Sequence, residues 1–197
     1  MRKPTVPILL TSLIAILAAA VWISCIVAGN SQQQVAEQFI ENLNQGKLRQ
    51  AGQLTDSQFY VIYRHEYARK SGDDYLASFQ SKIKFHPHIK ILRSRASRDS
   101  VWIETANTSD YSRLLKFGPR MTQFIFGFAG NKISSMQIDT LPGHTRFLEK
   151  NDQCWLAYMR WLGNRDSLLL EDLKKDWYSA KAKKWLTRYA TSMQHSK

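Results

Sequence analysis

An uncharged stretch near the N-terminus constrains this chain more than any other feature. Residues 6–29 carry no charged side chain and are rich in Leu, Ile, Val and Ala, and Arg2 and Lys3 precede them. Because a helix rises about 1.5 Å per residue, this stretch matches the roughly 30 Å of hydrocarbon in a bilayer. Cleavable secretory signals usually have an apolar region of only about 7–15 residues. We therefore predict a membrane anchor over 6–29, after a short cytoplasmic tail over 1–5.

Two other fates of this segment stay open at the level of sequence. Small residues at 27–29 would suit a cleavage site, and Cys25 would suit a lipoprotein, although Trp22 fits poorly three residues before a lipidated cysteine. The next basic residue after the segment is Lys47, so the positive-inside rule places the N-terminus in the cytoplasm. The prediction is a single-pass protein of the inner (plasma) membrane with an extracytoplasmic domain.

Charge and cysteine content narrow the classes of partner. The chain has 28 basic and 16 acidic residues, a net charge of +12 at pH 7. Nucleic acid is one partner for such a chain, but for an exported domain anionic lipid, envelope polymers or an acidic protein fit better. A solvated basic surface is the plain alternative. Since Cys25 lies in the predicted anchor, Cys154 has no partner for a disulfide within the domain, and it is either a small buried side chain or a free thiol.

Hydrophobic spacing predicts three helices in the first part of the domain. The first covers 31–54 with a break at Gly46, and the second covers 56–72. The third begins at Asp73 and Asp74, whose carboxylates complement the dipole of a first helical turn. These two carboxylates are therefore predicted to start a helix and not to form a catalytic pair.

The pattern then changes to the alternation of strands. Four antiparallel strands are predicted: His88–Arg95, Ser100–Thr108, an extended run over Tyr111–Ala129 with a bend at Gly118, and Lys132–Asp139. A tight turn at Gly130 and Asn131 joins the last two. Phe124, Phe126 and Phe128 fall on one face at strand spacing.

The C-terminal part is predicted to be helical. Asp152 would cap one helix that stops at Gly163, and a last helix would begin near Asp166, with an apolar stripe that ends at Ala180. The candidate basic contact surface lies here and consists of Lys174, Lys175, Lys181, Lys183, Lys184 and Arg188. This division gives a domain over 30–147 and a basic helical extension over 148–197.

Two segments carry a resemblance to a known family. The aromatic strand and tight turn of Phe124–Ile133, with Ile138 and Asp139, and the opening helix Val35–Leu43 resemble the nuclear transport factor 2-like superfamily over about residues 32–140. The resemblance implies a cone-shaped α+β domain, with three helices packed on a curved antiparallel sheet of about four strands. The helical extension is not part of that pattern.

The resemblance also implies a concave pocket, for which the candidate lining is Trp102, Phe124, Phe126 and Phe128. Enzymes of the superfamily commonly place a His or Asp dyad inside the cone, and no equivalent stands at the inward aromatic positions, so no catalytic residue is carried over. One membrane helix before such a cone also has a weaker architectural likeness to the bitopic periplasmic subunit of type IV secretion systems.

Metal and cofactor motifs are not supported by the sequence. His65 and Glu66 begin like a zinc-protease helix, but Arg69 stands where the second histidine is needed. His86 and His88 have no acidic or Cys ligand near them in sequence. We therefore predict neither a metal nor a cofactor.

These observations favour a non-enzymatic, membrane-tethered binding or assembly module of the cell envelope that contacts a protein partner or itself. The alternative is a small-molecule binder or weak enzyme that uses the apolar interior of the cone. A third hypothesis places the basic tail on anionic lipid. Nucleic acid is disfavoured as a partner.

Overall fold

The computed structural model describes residues 31–64 and 67–194 and confirms the α+β class. Within these residues it has seven α-helices and one six-stranded mixed sheet. The anchor predicted over 6–29 lies outside the described residues. Among the helices that are described, none combines the length and the apolar character needed to cross a bilayer.

In the described part of the chain, two helices precede the strands, two lie between them and three follow them. The elements are α1 (31–44), α2 (Leu48–Gln53), β1 (Thr55–Tyr63), β2 (Ala68–Ser71), α3 (Gly72–Lys82), β3 (His88–Ala96), β4 (Ser100–Thr108), α4 (Asp110–Leu114), β5 (Arg120–Ala129), β6 (Lys132–Thr140), α5 (His144–Gly163), α6 (Ser167–Lys175) and α7 (Ala180–Ser192). A 3-10 turn, Ile83–Phe85, follows α3.

The sheet has the strand order β2-β1-β6-β5-β4-β3. Neighbouring strands are antiparallel except β1 and β6, which are parallel. The prediction of four antiparallel strands is therefore wrong in number, and the sheet as a whole is mixed. The four predicted strands are antiparallel to one another, as expected. The two extra strands come from the segment that we predicted to be the second helix. Phe59 and Val61 alternate into the core there, and β6 and β2 pair with the backbone on either side, which outweighs the helical spacing of its apolar residues.

Irregular pairing bends this sheet. The register shifts between Thr55 and Tyr60 in β1, between Ile91 and Arg93 in β3, and between Gly127 and Phe128 in β5. Such bulges bend a strand and increase its twist. The sheet therefore curves, and α1 packs on its concave face.

One hydrophobic cluster fills this concave face, and we call it the cone core. Phe39 of α1 meets Phe59 and Phe126 edge to face, with both centroid distances at 5.9 Å. The other buried members are Ala36, Ile40, Leu43, Ala51, Val61, Tyr75, Phe79, Ile89, Val101, Ile103, Phe124, Ile133, Met136 and Ile138. The core is thus largely aliphatic and phenylalanine, and it joins α1, α3 and the strands in one unit.

Helix starts agree with the prediction in one place and differ in another. At α3, Ser71 Oγ accepts a hydrogen bond from the Asp74 N–H, and Asp73 and Asp74 lie in the first turn, as predicted. The extended run predicted from Tyr111 is wrong at its beginning, because Ser109 caps the short helix α4 through a capping box with Ser112.

The C-terminal helices differ more from the prediction. Helix α5 begins at His144, not at Asp152, and the single last helix is two helices, α6 and α7. The apolar stripe does not end at Ala180. Ser179 caps α7, and Ala182, Leu186 and Tyr189 continue the stripe into the interior.

A second hydrophobic cluster forms around these helices, and we call it the helical layer. Its buried members are Phe85, Leu115, Tyr158, Leu162, Leu169, Leu173, Ala182, Leu186 and Tyr189. Cys154 is a half-buried free thiol packed against this cluster. Helix α5 contacts β5 of the sheet, and a cavity lies between the sheet and the layer.

Candidate ligand site

A cavity of about 530 Å³ lies between the sheet and the C-terminal helices. It receives side chains from the ends of β4 and β5, from α4, and from α5 and the segment after α6. Its walls are mostly aromatic and comprise Phe85, Tyr111, Phe117, Phe147, Trp155, Trp177 and Tyr178. An apolar concave surface of this size is typical of small-molecule sites, which usually enclose roughly 300–1,000 Å³.

The aromatic walls brace one another. The rings of Phe85 and Tyr111 stack with centroids 4.4 Å apart and an interplanar angle of 7°. Trp155 meets Tyr111 edge to face at 5.4 Å and Trp177 at 4.9 Å. The Tyr111 hydroxyl also donates a hydrogen bond to the Trp177 carbonyl. Burial of the Tyr111 side chain raises its pKa, and the neighbouring Tyr158 raises it further. The hydroxyl of Tyr111 therefore stays protonated and remains a donor.

A line of polar side chains leads from the cone core to the cavity. Thr105 and Thr122 are fully buried on the concave faces of β4 and β5, and their Oγ1 atoms lie 2.9 Å apart. Asn107 Nδ2 donates to Thr122 Oγ1 at 2.7 Å. Asn107 pairs across the sheet with Arg120, and both side chains line the cavity. The Asn107 Oδ1 atom is buried and has no hydrogen-bond partner in the described structure.

A carboxylate clamp sits at the start of α4, next in sequence to the cavity residues Ser109 and Tyr111. Asp110 Oδ2 lies 3.0 Å from His86 Nδ1 and 2.7 Å from Lys183 Nζ, while Oδ1 accepts from Arg113. Desolvation alone would raise the pKa of Asp110, but the hydrogen bonds from Lys183 and Arg113, with the charges of Lys183 and His86, hold it below the usual value. The carboxylate is therefore ionised and already engaged, and it ties α7 to α4.

The structure separates the four side chains proposed for the pocket. Phe124 and Phe126 are buried in the cone core, and the half-buried Phe128 packs against it. Trp102 lies on the opposite face of the sheet, where the Arg95 guanidinium stands 4.9 Å from its ring centroid. The cavity lies farther along the same strands, toward Asn107.

The six residues of the proposed basic surface also fall into two groups. Lys174, Lys181 and Lys183 are ion-paired within the chain, with Glu171, Asp172 and Asp110. Lys175, Lys184 and Arg188 are exposed, and the Arg188 guanidinium lies 4.6 Å from the Trp185 ring centroid. The proposed basic contact surface therefore consists of three lysines with carboxylate partners and three exposed basic residues.

Sequence reasoning missed the walls of the cavity. Tyr111, Trp155 and Trp177 come from three elements that are distant in sequence, so no local spacing links them. Asn107 ends a correctly predicted strand, but only the cross-strand contact with Thr122 shows its role. Within the described residues, no group of three or more His, Cys, Asp or Glu side chains is arranged to hold a metal ion.

Comparisons with known proteins find structural neighbours only. No protein-family model matches the sequence. A search of curated proteins likewise finds no match. The structural neighbours include NTF2-like proteins. An NTF2-like protein of unknown function from Cytophaga hutchinsonii has 11% identity and a TM-score of 0.46, over 56% of this chain and 90% of that chain.

Two further neighbours have the same level of similarity. An LEH-like epoxide hydrolase from M. tuberculosis has 13% identity and a TM-score of 0.48, over 61% of this chain and 93% of that chain. A de novo designed protein with a curved β-sheet has 11% identity and a TM-score of 0.47, over 65% of this chain and 97% of that chain. At these values the neighbours assign neither an activity nor a ligand to this chain.

Proposed function

We propose that this domain binds a small, largely apolar molecule in the cavity between the sheet and the helical layer. The observation that carries the proposal is a cavity of about 530 Å³ that is lined by aromatic rings together with polar side chains such as Asn107 and Arg120. The walls are already fixed by ring contacts such as that between Phe85 and Tyr111. A site that is formed in advance loses little conformational freedom when a ligand enters.

The charges near the cavity favour binding over catalysis. A general base must be free to accept a proton and have a pKa near the working pH. Asp110 instead has its carboxylate engaged by Lys183, Arg113 and His86, and its pKa is lowered. A non-enzymatic binder is therefore the better description of this site.

The proposal includes the membrane anchor over 6–29 and an extracytoplasmic location. Gln32 Nε2 donates to the Gly130 carbonyl at 3.3 Å, so the first described turn of α1 lies at the β5–β6 turn. The cavity lies at the other end of β5, near Arg120. A ten-residue strand extends roughly 30 Å. An anchor that precedes residue 31 would thus leave the cavity away from the bilayer, and the ligand would arrive from the aqueous phase.

A cavity-filling substitution tests the proposal. Leu148 lines the cavity and Leu156 does not, although both are exposed on α5. We expect the full chain in lipid nanodiscs to bind 2-naphthol saturably in equilibrium dialysis, with empty nanodiscs as the blank. Leu148→Trp should weaken this binding by at least about tenfold, whereas Leu156→Trp should leave it unchanged. Equal binding by all three proteins, or no saturable binding, would refute the proposal.

A second candidate function, contact with a protein partner or a second copy, is favoured by one surface of the helical layer. There the Arg165 guanidinium lies 4.4 Å from the Trp161 ring centroid, and Trp161 meets Trp185 at 6.1 Å. Arg188 stacks on the other indole, Trp185, at 4.6 Å. Arginine and tryptophan are enriched among the residues that dominate protein interfaces.

Substitution of one indole tests this candidate. Trp185→Ala should abolish crosslinks of the tethered protein in its native membrane, whereas Lys184→Ala on the same helix should preserve them. If the wild-type full chain stays monomeric and yields no crosslinked partner, the surface has no such role. Crosslinks that survive Trp185→Ala would place the interface elsewhere, and binding that follows anionic lipid or envelope polymer content would indicate those partners instead.

A further inference from the structure

We infer that the open edge of β3 binds an extended segment of another protein that has acidic side chains at every second position and that adds a further strand to the sheet. Strand β3 is an edge strand, since within the described residues it pairs with β4 alone. The inference does not depend on the cavity. It also concerns residues other than those of the surface around Trp161 and Trp185.

The side chain of Asn44 shows what the edge of β3 accepts. The Ile89 N–H donates to Asn44 Oδ1 at 2.7 Å, and the Ile89 carbonyl accepts from Asn44 Nδ2 at 3.0 Å. A side-chain amide thus makes the two bonds that a neighbouring strand would make. It does so near the start of β3, and the described part of the chain supplies no such partner to the main chain beyond Ile89 on this side.

The other outward groups follow from the geometry of an antiparallel pair, in which residues bonded to the neighbouring strand alternate with residues that point away. The register shifts within β3, so each end is counted by itself. Ile89 points away, so Ile91 does as well. At the other end the Ser97 N–H bonds to the Ser100 carbonyl at 2.8 Å, so residue 97 points inward. The main-chain groups that β3 offers to an added strand are therefore those of Ile91, Ser94 and Ala96.

The side chains beside this edge determine the charge of the partner. Lys90, Arg93 and Arg95 are exposed and lie on the face of the sheet opposite α1. Glu104 is the cross-strand partner of Arg93, yet none of the three basic residues forms an ion pair in the described structure. Acidic side chains on an added strand would stand beside them and stabilise the pairing. A second copy of β3 would bring like charges together, so the row excludes self-association at this edge.

The opposite side of an added strand would face α1. A cavity of about 510 Å³ lies there, and it is lined by Gln34, Glu37, Gln38, Glu41 and Ile91. This volume leaves room for further side chains, but its two carboxylates would repel acidic ones. Because the side chains of a strand alternate between its two faces, the partner should carry uncharged residues between its acidic residues. A continuous acidic run fits this edge less well.

Labelled peptides of the same length as β3, nine residues, test the inference. In one peptide Glu alternates with Thr, and in the second the same residues are arranged with all Glu in one block. Fluorescence anisotropy is measured with the full chain in nanodiscs of uncharged lipid, and empty nanodiscs are the blank. We expect the alternating peptide to bind saturably and at least about fivefold more tightly than the block peptide.

Methylation of the peptide backbone separates strand addition from attraction by charge. The N–H groups of either the Glu or the Thr residues would point at β3, and the other set would point away. N-methylation of the set that points at β3 should weaken binding by about tenfold, because it removes hydrogen-bond donors. N-methylation of the other set should leave binding unchanged. These peptides carry equal charge, and the protein itself is not altered.

Two charge reversals complete the test. Arg93→Glu should weaken binding of the alternating peptide by at least about fivefold, because attraction becomes repulsion. Lys175→Glu makes the same change at an exposed lysine of α6 and should leave binding unchanged. Equal effects of the two methylated sets, or equal losses in the two variants, would mean that net charge alone governs binding and would overturn the inference. Absence of saturable binding, or equally tight binding of a polyphosphate of the same charge, would overturn it as well.

Discussion

The cone core and the helical layer are held together by different kinds of contact. The cone core is built largely from aliphatic side chains and phenylalanines, with Tyr75 as its one buried tyrosine, under a continuous sheet. The helical layer has Tyr158 and Tyr189 among its buried residues, and four tryptophans pack against it. Its connection to the rest of the protein includes specific polar contacts, among them Lys183 with Asp110 and with the Lys84 carbonyl at 2.9 Å.

The difference indicates which part should open first. The stabilisation from apolar burial does not depend directly on pH, and many contacts between strands together stabilise the cone core. The helical layer combines its own apolar burial with a few polar contacts, among them the Asp110 clamp and the Tyr111–Trp177 hydrogen bond. Because the cavity lies between the two regions, loosening of the layer would also open the cavity. The following experiments can break or sharpen this comparison.

The largest effect is expected in the cone core. Phe126 is 0% exposed, so Phe126→Ala should lower the free energy of unfolding of the whole domain by about 3–5 kcal/mol in guanidinium unfolding of the full chain. Gln123→Ala, on the other face of the same strand, should cost less than about 0.5 kcal/mol. A loss below about 1 kcal/mol for Phe126→Ala would show that the core is not close-packed at this point.

The next largest effect is expected at the clamp. Asp110→Asn removes the charge that Lys183 and Arg113 bind and should destabilise the helical layer by about 1.5–3 kcal/mol. Hydrogen exchange should accelerate in α7 and remain unchanged in β4 and β5. The matched change Asp172→Asn, at an exposed pair with Lys181, should have a smaller effect. Uniform acceleration over the whole domain would contradict the separation of the two regions.

Acid should reproduce part of this change in the wild-type protein. The folded-state pKa of Asp110 is lowered, so its contribution to stability is present above the unfolded pKa of about 3.9 and is lost as the pH falls through the lower folded value. Hydrogen exchange in α7, corrected for intrinsic rates, should therefore be steady from about pH 7 to 5 and accelerate below about pH 4. In Asp110→Asn this acceleration should be absent. An equal acid response in both proteins would assign it to other groups.

A smaller effect is expected at the aromatic wall. Tyr111→Phe keeps the stacking on Phe85 and removes the donor to the Trp177 carbonyl, which should cost about 1 kcal/mol of helical-layer stability. Tyr178→Phe is the matched control, since the described structure records no such bond for its hydroxyl, and it should cost less. Equal losses, measured by thermal unfolding, would indicate that the hydroxyl of Tyr111 does not hold the layer.

The smallest effect is expected at the surface of the layer. Arg188→Ala removes a guanidinium from the face of Trp185 and should cost about 0.5–1 kcal/mol, the usual range for an exposed cation–π pair. Lys184→Ala, one turn earlier on α7, should be close to neutral in the same thermal unfolding assay. A loss above about 2 kcal/mol would mean that Arg188 has a structural role that the exposed pair does not explain.

The fold was predictable where local signals and packing agree. Strand β4 begins and ends at Ser100 and Thr108 as its alternation predicts, and Asp73 and Asp74 lie in the first turn of α3. The class follows from these elements. The segment of β1 was mispredicted because Phe59, Ile62 and Tyr63 also fit a helical stripe, and only pairing with two distant strands decides between the alternatives.

Short capped helices and the site were harder to predict. Ser109 and Ser179 cap the N-termini of α4 and α7. Serine is a common capping residue, but the residues after each serine show no clear helical pattern, so the capping signal in the sequence is weak. The cavity depends on how α5 and the segment after α6 return to the sheet. That return is a property of tertiary packing and has no counterpart in the spacing of Tyr111, Trp155 and Trp177 along the chain.

The parallel pairing of β1 with β6 has a consequence for the order in which the chain can assemble. Strand β1 finds its inner neighbour only after β6 has left the ribosome, although every other pair in the sheet is joined by a local connection. Contacts between such distant segments form late, and until then the β1–β2 hairpin exposes an open edge that is prone to aggregation. In refolding from denaturant, a chain truncated before residue 132 should therefore stay bound to a holdase chaperone, whereas a chain that includes Lys132–Thr140 should be released.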